Sequence, residues 1–409
     1  MRFSKTVSFY LLASILVSFL AGSSAPSPLY AVYQAAWGFS PITITVVFGV
    51  YAIAVLAALL TLGSLSDFIG RKPVLLASTS VQALCMLLFA NAHSVSALIT
   101  ARIIQGLATG AAVGAIGAGL LDIDRERGTF ANAVAPLTGT ALGGIVAGAI
   151  AQYLPAPTQL VYFVMCAIFL LQALGVAFMP DTSSKKPGAL AALRPQFRVP
   201  AQVRAALFFS VPVLIASWAL GGFYASLGPT LIRKLAGSDS LTLGGFVILV
   251  IAGCGALAVT VVHARPARAI MTLGSASLAI GVAITLGAIS ARSLPVFLVG
   301  AAIAGVGFGT GLQGAIRSVV PLAAAHERAG VLSTMYAVAY LAMGAPAVLG
   351  GVGVVYGDGL FATASEYGFV VIGLALFALV GTWLKRPARP AIAPASVWPR
   401  DSRPELGRR

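Results

Sequence analysis

Long apolar stretches recur along nearly the whole of this 409-residue chain, and they restrict the folds open to it more than any other feature. A helix needs about 20 mainly apolar residues, at 1.5 Å each, to cross a hydrocarbon core of roughly 30 Å. Only 9% of the residues are charged, whereas about a quarter are charged in a soluble domain. The sequence therefore predicts an all-α polytopic membrane protein. Its twelve candidate transmembrane helices, numbered here as spans 1 to 12, lie near 8–30, 41–62, 73–91, 95–121, 129–151, 160–179, 206–230, 241–262, 269–289, 294–320, 330–354 and 367–384.

The longest polar break divides the chain into two halves. Residues 180–205, PDTSSKKPGALAALRPQFRVPAQVRA, are basic and contain proline, and six spans precede them and six follow. A shift of 201 residues aligns Glu126 and Arg127 with Glu327 and Arg328, and a matched charged pair is rare in so apolar a chain. We therefore expect two pseudo-symmetric six-helix bundles, 1–179 and 206–384, a cytoplasmic linker, 180–205, and a basic disordered tail, 385–409. Transporters built from such repeats bind substrate at the repeat interface near the bilayer midplane.

Lys and Arg are distributed unequally between the two sides of the predicted membrane protein. Of the 26 in the chain, 21 fall in the termini or in connections on the same side, and three, Arg233, Lys234 and Arg292, fall on the other side. Because Lys and Arg accumulate in cytoplasmic loops, we expect both termini to be cytoplasmic in a protein of a bacterial inner membrane. Orientation and contact with anionic lipid then account for the net charge of +15, and no nucleic-acid partner is needed.

The connection between spans 2 and 3, GSLSDFIGRKP at 63–73, concentrates charge in a short stretch. Gly63 permits close helix contact, Gly70 permits a tight turn, and Pro73 suits the first turn of a helix. The stretch resembles the signature of the major facilitator superfamily, Gly-x-Leu-Ala/Ser-Asp-Arg/Lys-x-Gly-Arg-Arg/Lys. Phe68 departs from that signature, which has a base at this position. The matching residues are Gly63, Leu65, Ser66, Asp67, Gly70, Arg71 and Lys72.

This resemblance implies the major facilitator fold and a conformational latch. In the family, the turn holds the two halves together at the cytoplasmic side in the outward-facing state. The Asp lies near the start of a helix in the other half, and the Arg pairs with an acid at the inner end of the fourth helix. By resemblance Asp67 and Arg71 take these roles, and Asp122 in LLDIDRERG is the partner acid. The missing base at position 68 predicts a weaker latch.

Span 4 contains RIIQGLATGAA, which resembles the superfamily pattern Arg-x-x-Gln-Gly-x-Gly/Ala. Arg102 lies about 10 Å from the end of the span that faces away from the termini, at 1.5 Å per residue. Burying a cation at this depth costs on the order of 2–3 kcal/mol, so a functional role in coupling or substrate binding is the first hypothesis. The alternative is a structural arginine that pairs with carbonyl groups or reaches the interface. Gln105 and Gly106 belong to the same pattern.

Span 5 contains GTALGG, which resembles the antiporter motif Gly-Pro-x-x-Gly-Gly, with Thr140 in place of the proline. Small residues at this spacing let helices pack backbone to backbone. We expect Gly139, Gly143 and Gly144 to serve helix packing first, and the match also favours antiport.

All eleven acids are predicted to fall in connections, at span ends or in the tail. A cationic substrate is therefore disfavoured, because relatives that bind cations or protons often carry a carboxylate within a span. The three histidines map to connections, and Cys85, Cys166 and Cys254 are expected to be packed thiols. We predict no metal and no cofactor, and no Gly-x-x-x-x-Gly-Lys-Ser/Thr stretch is present to bind a nucleotide.

By resemblance to the family, spans 1, 4, 7 and 10 should line a central cavity. Tyr33 and Trp37 are expected in an interfacial aromatic belt instead. An aromatic and weakly polar cavity suits an amphipathic neutral or anionic organic molecule. The candidate lining residues are Ser23, Ser24, Tyr30, Gln105, Trp218, Tyr224 and Gln313.

The leading hypothesis is a secondary active transporter similar to the drug:proton antiporter branch of the superfamily. It would export a small amphipathic organic solute by alternating access and proton antiport. The expected partners are that solute, protons and membrane lipid, and the family works mostly as monomers. The alternative is an uptake carrier, a symporter or uniporter for a neutral or anionic metabolite, with Arg102 engaging a carboxylate. A membrane enzyme or a transport-dead receptor is a further alternative, although no cluster of His, acid and nucleophile lies at one membrane depth.

Overall fold

The computed structural model describes residues 3–183, 187–195, 197–324 and 326–384, and twelve helices in this part of the chain are long and apolar enough to cross a membrane. The prediction of an all-helical protein with twelve spans is confirmed. The tail predicted at 385–409 lies outside the described residues. Spans 1 to 12 are Lys5–Trp37, Pro41–Leu62, Arg71–Ala90, Val95–Ile123, Arg125–Tyr153, Leu160–Phe178, Ala201–Ser226, Leu241–Val262, Ala267–Ser290, Leu294–Leu322, Arg328–Tyr356 and Gly359–Leu384.

The largest difference from the predicted boundaries is at the start of span 12. This helix begins at Gly359, eight residues earlier than the predicted start at residue 367, because a turn at Gly357 to Asp358 is enough to reverse the chain after span 11. Glu366 therefore lies inside a membrane span and not in a connection. The prediction that every acid lies outside the body of the spans is wrong for this residue.

Spans 1 and 7 are each built from two helical segments, and the breaks occupy equivalent places in the two halves. Span 1 breaks at Ala25 between Lys5–Ser24 and Pro26–Trp37, and span 7 continues beyond Leu227 as Gly228–Ala236. Pro28 and Pro229, which follow the two breaks, are separated by the same 201 residues that align the halves. Proline has no backbone N–H, so each break leaves helical carbonyl groups without their usual partner.

Buried residues form two separate clusters. One contains residues from Leu12 to Met179, and the other contains residues from Val203 to Ala378. A short helix, Ala189–Ala192, lies in the connection between them, and span 7 begins at Ala201, within the segment predicted to be linker. Each half therefore has its own hydrophobic core.

The two halves pack on each other through spans 5 and 8 and through spans 2 and 11. We call the end of the bundle with Lys5 and Arg71 the inner face, since its excess of Lys and Arg predicts that it is cytoplasmic, and the opposite end the outer face. Near the outer face, Gln152 Oε1 accepts a hydrogen bond of 2.7 Å from the backbone N–H of Leu241. The carbonyl of Gly144 in span 5 lies 2.2 Å from where a Cβ on Gly245 in span 8 would lie. The outer parts of the halves are thus in direct backbone contact.

Candidate functional site

A cavity of about 170 Å³ lies between the two halves near the middle of the spans. None of the residues that line it is charged. Its wall combines aromatic rings with hydroxyl and amide groups, and it extends from mid-depth toward the inner parts of spans 5 and 10. The lining residues with aromatic or polar side chains are Ser23, Ser24, Phe48, Tyr51, Asn132, Thr140, Trp218, Phe308, Gln313 and Tyr340.

Local packing sets the shape of this cavity. The rings of Trp218 in span 7 and Tyr340 in span 11 pack with centroids 4.8 Å apart. Gly221, one turn after Trp218, makes room for Phe308, whose ring carbon lies 2.7 Å from where a Cβ would stand. Ser24 Oγ donates a hydrogen bond of 2.9 Å to the carbonyl of Thr140, which joins span 1 to span 5. The aromatic wall is thus fixed by contacts within the protein.

Polar groups in the cavity remain free to bind a solute. Asn132 Nδ2 already donates to the carbonyl of Gly117 at 3.0 Å. Within the described ranges, neither the Gln313 amide nor the Tyr340 hydroxyl has a hydrogen-bond partner, although both border the cavity. These two side chains, together with the Asn132 Oδ1 atom, are the polar contacts that the site offers.

Of the seven predicted cavity residues, Ser23, Ser24, Trp218 and Gln313 line this cavity, whereas Tyr30, Gln105 and Tyr224 do not. Tyr30 is 2% exposed, and its hydroxyl accepts hydrogen bonds from Arg102. Tyr224 is buried in the core of the second half, stacked on Phe297 at a centroid distance of 6.1 Å.

The assignment of whole spans to the cavity also needs correction. Span 4 supplies no lining residue, whereas spans 2, 5 and 11 supply Tyr51, Asn132 and Tyr340. Sequence reasoning missed these three residues because it took the lining spans from the family. Tyr33, expected in an interfacial belt, is 2% exposed, and its hydroxyl forms a hydrogen bond of 3.2 Å with that of Tyr162.

Arg102 is fully buried beside the break in span 1. Its Nη1 donates to the carbonyl of Ser23 at 2.8 Å and to Gln105 Oε1 at 2.7 Å, and its Nε donates to Tyr30 Oη at 2.9 Å. Gln105 Nε2 in turn donates to the carbonyl of Gly22 at 2.9 Å. That carbonyl is available because Pro26, four residues later, has no N–H to donate. The side chains of Arg102 and Gln105 therefore supply the hydrogen bonds that carbonyl groups at the proline break need.

Arg102 lies behind the cavity wall and not in the cavity. Its guanidinium carbon is 5.2 Å from the ring centroid of Tyr51, and both Tyr51 and Ser23 line the cavity. Over the described ranges no carboxylate forms an ion pair with Arg102. Its positive charge is therefore held close to the cavity without a counter-charge. The sequence left two roles open for Arg102, one in coupling or substrate binding and one as a structural arginine paired with carbonyl groups. The hydrogen bond to the Ser23 carbonyl agrees with the structural role.

The turn between spans 2 and 3 forms an ion-pair cluster near the inner face. Arg71 Nε lies 3.2 Å from Asp122 Oδ2, and Arg71 Nη1 contacts both Asp67 and, at 2.7 Å, Ser66 Oγ. Arg71 is only 7% exposed, although it lies in the short charged connection between two spans. Its ion pairs are all with acids of its own half, whose side chains are partly exposed. The latch role across the halves stays a prediction.

Asp181, which sequence reasoning did not select, completes this cluster. Its Oδ1 accepts a hydrogen bond of 2.9 Å from the backbone N–H of Arg71, the first residue of span 3. Gly70 has a φ of +100°, and a Cβ on it would lie 2.2 Å from Asp181 Oδ2. Lys72 Nζ donates to the carbonyl of Ala177 at 2.6 Å. The available signal was that Asp181 follows span 6 directly, on the same side as the turn.

The remaining motif glycines permit close helix packing. A Cβ on Gly106 would lie 2.6 Å from Ala54 Cβ in span 2, and one on Gly139 would lie 2.3 Å from the carbonyl of Val17 in span 1. Gly143 meets the carbonyl of Ala21 in the same way at 2.2 Å, whereas Gly144 faces Ile248 of the other half at 2.8 Å. Gly63 is approached by span 4, since a Cβ on Gly114 would lie 2.5 Å from its carbonyl. Leu65 packs against the first core.

The sequence profile of the Major Facilitator Superfamily matches residues 11–345 of this chain. The chain belongs to the Major Facilitator Superfamily. It is a membrane transporter of this superfamily and not an enzyme. One curated relative, an MFS-type transporter of Aspergillus terreus, is 39% identical over 95 residues, which are 22% of this chain. The chain thus covers only 17% of the length of that relative.

Solved structures of superfamily members share the fold at low sequence identity. The nucleoside transporter NupG is 13% identical, with a TM-score of 0.68 over 94% of this chain and 100% of that chain. The human organic anion transporter MFSD10 (TETRAN) is 18% identical, with a TM-score of 0.65 over 92% and 100%. A bacterial homologue of the human lysosomal transporter Spinster, in an inward-facing and unoccupied conformation, is 12% identical, with a TM-score of 0.72 over 93% and 97%.

Proposed function

We propose that this superfamily member exports a small aromatic solute, neutral or anionic, through the central cavity by alternating access and proton antiport. The observation that carries the substrate class is the uncharged aromatic cavity with the uncompensated Arg102 behind its wall. The GTALGG stretch, which resembles the antiporter motif, supports the direction and the coupling.

Cavity size supports a solute of about one aromatic ring. A dry protein cavity of about 150 Å³ holds one benzene molecule, whereas drug-sized ligands occupy sites of roughly 300–1,000 Å³. The central cavity measures about 170 Å³. Trp218 and Tyr340 supply ring faces on which an aromatic solute can stack, and Gln313 supplies both a donor and an acceptor for its polar group.

The positive charge of Arg102 behind the cavity wall supports a neutral or anionic solute over a cationic one. Charges act over longer distances in a low-dielectric interior than in water, and Arg102 is 0% exposed. A solute with a carbonyl or carboxylate group is attracted by the positive potential, and an ammonium group is repelled. The same potential favours the second candidate, an uptake carrier for an anionic metabolite.

Packing at the outer face supports an inward-facing pose as one end of the transport cycle. The halves are in backbone contact near Gly144 and Gly245, while the ion pairs of Arg71 stay within its own half. A latch that favours the outward-facing state would be open in this pose, which agrees with those contacts. The likeness to an inward-facing structure supports the same pose.

The proposal is tested with purified protein in proteoliposomes. A panel of one-ring aromatic acids, amides and amines is screened for flux with and without an imposed pH gradient. We expect acids or amides to be carried, flux to respond to the gradient, and Gln313→Leu to reduce it. Gln159→Leu, an exposed amide outside the cavity, is the matched control. Flux that ignores the gradient would refute antiport, and preferential flux of the amines would refute the substrate class.

A further inference from the structure

Glu366 is an acid within a membrane span that the transport cavity does not use. It lies seven residues after Gly359, about 10 Å along the helix at 1.5 Å per residue. Span 12 has 26 residues and is therefore about 39 Å long, roughly 9 Å longer than a hydrocarbon core. Even if the excess is divided equally between the two ends, Glu366 lies inside the apolar layer. Ionisable residues at such positions usually mark a ligand or an ion path.

A groove of about 350 Å³ on the outside of the second half contains this acid. The groove runs between spans 7, 11 and 12, on the periphery of the second half and away from the central cavity. Its other lining residues are mainly aliphatic, and they include Ile215, Pro346, Leu349, Val370 and Leu374. It is twice as large as the central cavity and falls within the size range of drug-sized ligand sites.

Polar groups in the groove are oxygen atoms that accept hydrogen bonds. The Glu366 side chain is exposed to the groove, and the hydroxyl of Thr363 lies one turn away on the same helix. The Tyr367 hydroxyl donates its proton to the carbonyl of Ala219 at 2.8 Å and so presents only lone pairs. No lining residue is basic. This set of groups is complementary to an organic cation.

Among the described residues, no cation neutralises Glu366. Across the part of the chain that the structure describes, it forms no ion pair. Arg292 is the nearby base on the outer side, and its guanidinium carbon lies 4.8 Å from the ring centroid of Phe361, five residues before Glu366. The carboxylate is therefore available to a ligand that arrives from the lipid.

We propose that this groove binds an amphiphilic organic ammonium ion that partitions into the membrane. The ammonium group contacts the Glu366 carboxylate, and the apolar body lies along the aliphatic wall formed by spans 11 and 12. The ligand differs in charge from the solute of the central cavity, and the groove is a second site of the transporter. The inference concerns binding and does not rest on the proposed transport direction, coupling or substrate.

The test measures equilibrium binding of a radiolabelled quaternary alkylammonium that carries one aromatic ring, with the purified transporter in lipid nanodiscs. Its permanent charge keeps the probe cationic at every pH. The comparison probe is the isostere with carbon in place of the nitrogen. Glu366→Gln removes the charge and keeps the shape of the groove, and Asp358→Asn removes an exposed acid outside the groove as the matched control.

The quaternary nitrogen has no N–H, so its attraction to the Glu366 carboxylate is coulombic, and Glu366→Gln should weaken binding of the ammonium probe by about tenfold or more. Binding of the uncharged isostere should not change, and Asp358→Asn should bind both probes like the wild type. Gln313→Leu should also leave the ammonium affinity unchanged, because it alters the central cavity. Equal ammonium affinity of wild type and Glu366→Gln would overturn the proposal, and so would an equal loss in Asp358→Asn.

Discussion

Gly245→Ala should open the outer face without unfolding either half. Its Cβ would lie 2.2 Å from the carbonyl oxygen of Gly144, whereas ordinary van der Waals contact begins at 3.4 Å. Backbone atoms of two helices must therefore separate by more than 1 Å. Gly245 and Gly144 belong to different halves, so the strain falls only on the pose in which the outer parts touch.

The expected size of this effect follows from the cost of overpacking. One extra methyl group in a packed interface costs about 1–3 kcal/mol, which changes a two-state equilibrium by roughly 5- to 150-fold. Spin labels on Tyr153 and Asp239, both exposed at the outer ends of spans 5 and 8, report the separation by pulsed electron paramagnetic resonance. We expect the variant to gain a population with a longer distance between the two labels.

Two other glycines provide controls for this experiment. Gly373→Ala adds a methyl group in span 12 with no atom within 4 Å and should leave the distance between the labels unchanged. Gly255→Ala meets the carbonyl of Gly305 at 2.9 Å inside the second half, so it should lower the unfolding temperature and leave the outer distance unchanged. An unchanged distance distribution in Gly245→Ala would refute the argument that this contact closes the outer face.

Three further outcomes are expected. Arg102→Lys should lower the free energy of unfolding by about 1.5–3 kcal/mol for each hydrogen bond that the lysine ammonium cannot replace. The measurement is the temperature at which the buried thiol of Cys85 reacts with a thiol reagent, and this temperature should be lower in the variant. Asp181→Ala should cost about 0.5–2 kcal/mol, because it removes the acceptor for the first N–H of span 3, whereas Asp181→Asn should cost less; hydrogen exchange of the amides of Arg71, Lys72 and Val74 would report the difference. Trp218→Leu should raise the KM of an aromatic solute by about two- to tenfold through the loss of ring stacking, and an unchanged KM would contradict the cavity assignment.

Helix number and order could be predicted from the sequence because the hydrocarbon core sets a minimum length for each span. Eleven of the twelve starts and most ends differ from the prediction by five residues or fewer, since polar breaks are sharp in so apolar a chain. Span 12 is the exception. Glu366 looked like part of a connection, and only the geometry of the preceding turn shows that the helix already begins at Gly359.

The candidate site was less accessible to sequence reasoning. Ser23, Ser24 and Gln313 were found because polar residues in spans are few, and Trp218 because it lies in a span assigned to the cavity. Tyr30 is also a polar residue in a span, but its hydroxyl contacts Arg102 instead of the cavity. Which side of a helix faces the cavity depends on how the two halves pack, and the sequence pattern does not give this. Asn132 and Tyr340 lie in spans that the family resemblance did not assign to the cavity. Asp181 could not be found by local pattern, because its partner lies 110 residues away.

Asp181 anchors the first residues of the interdomain connection to the folded first half. Its carboxylate holds the start of span 3, so the first residues after span 6 are part of the folded first half. A displacement of Asp181 would strain the turn at Gly70, because the Asp181 carboxylate contacts that turn. Extra residues inserted after Ser183 would lengthen the connection without moving Asp181. A reporter protein inserted beyond Ser183 should therefore leave the turn intact, and one inserted before Asp181 should uncouple span 6 from span 3.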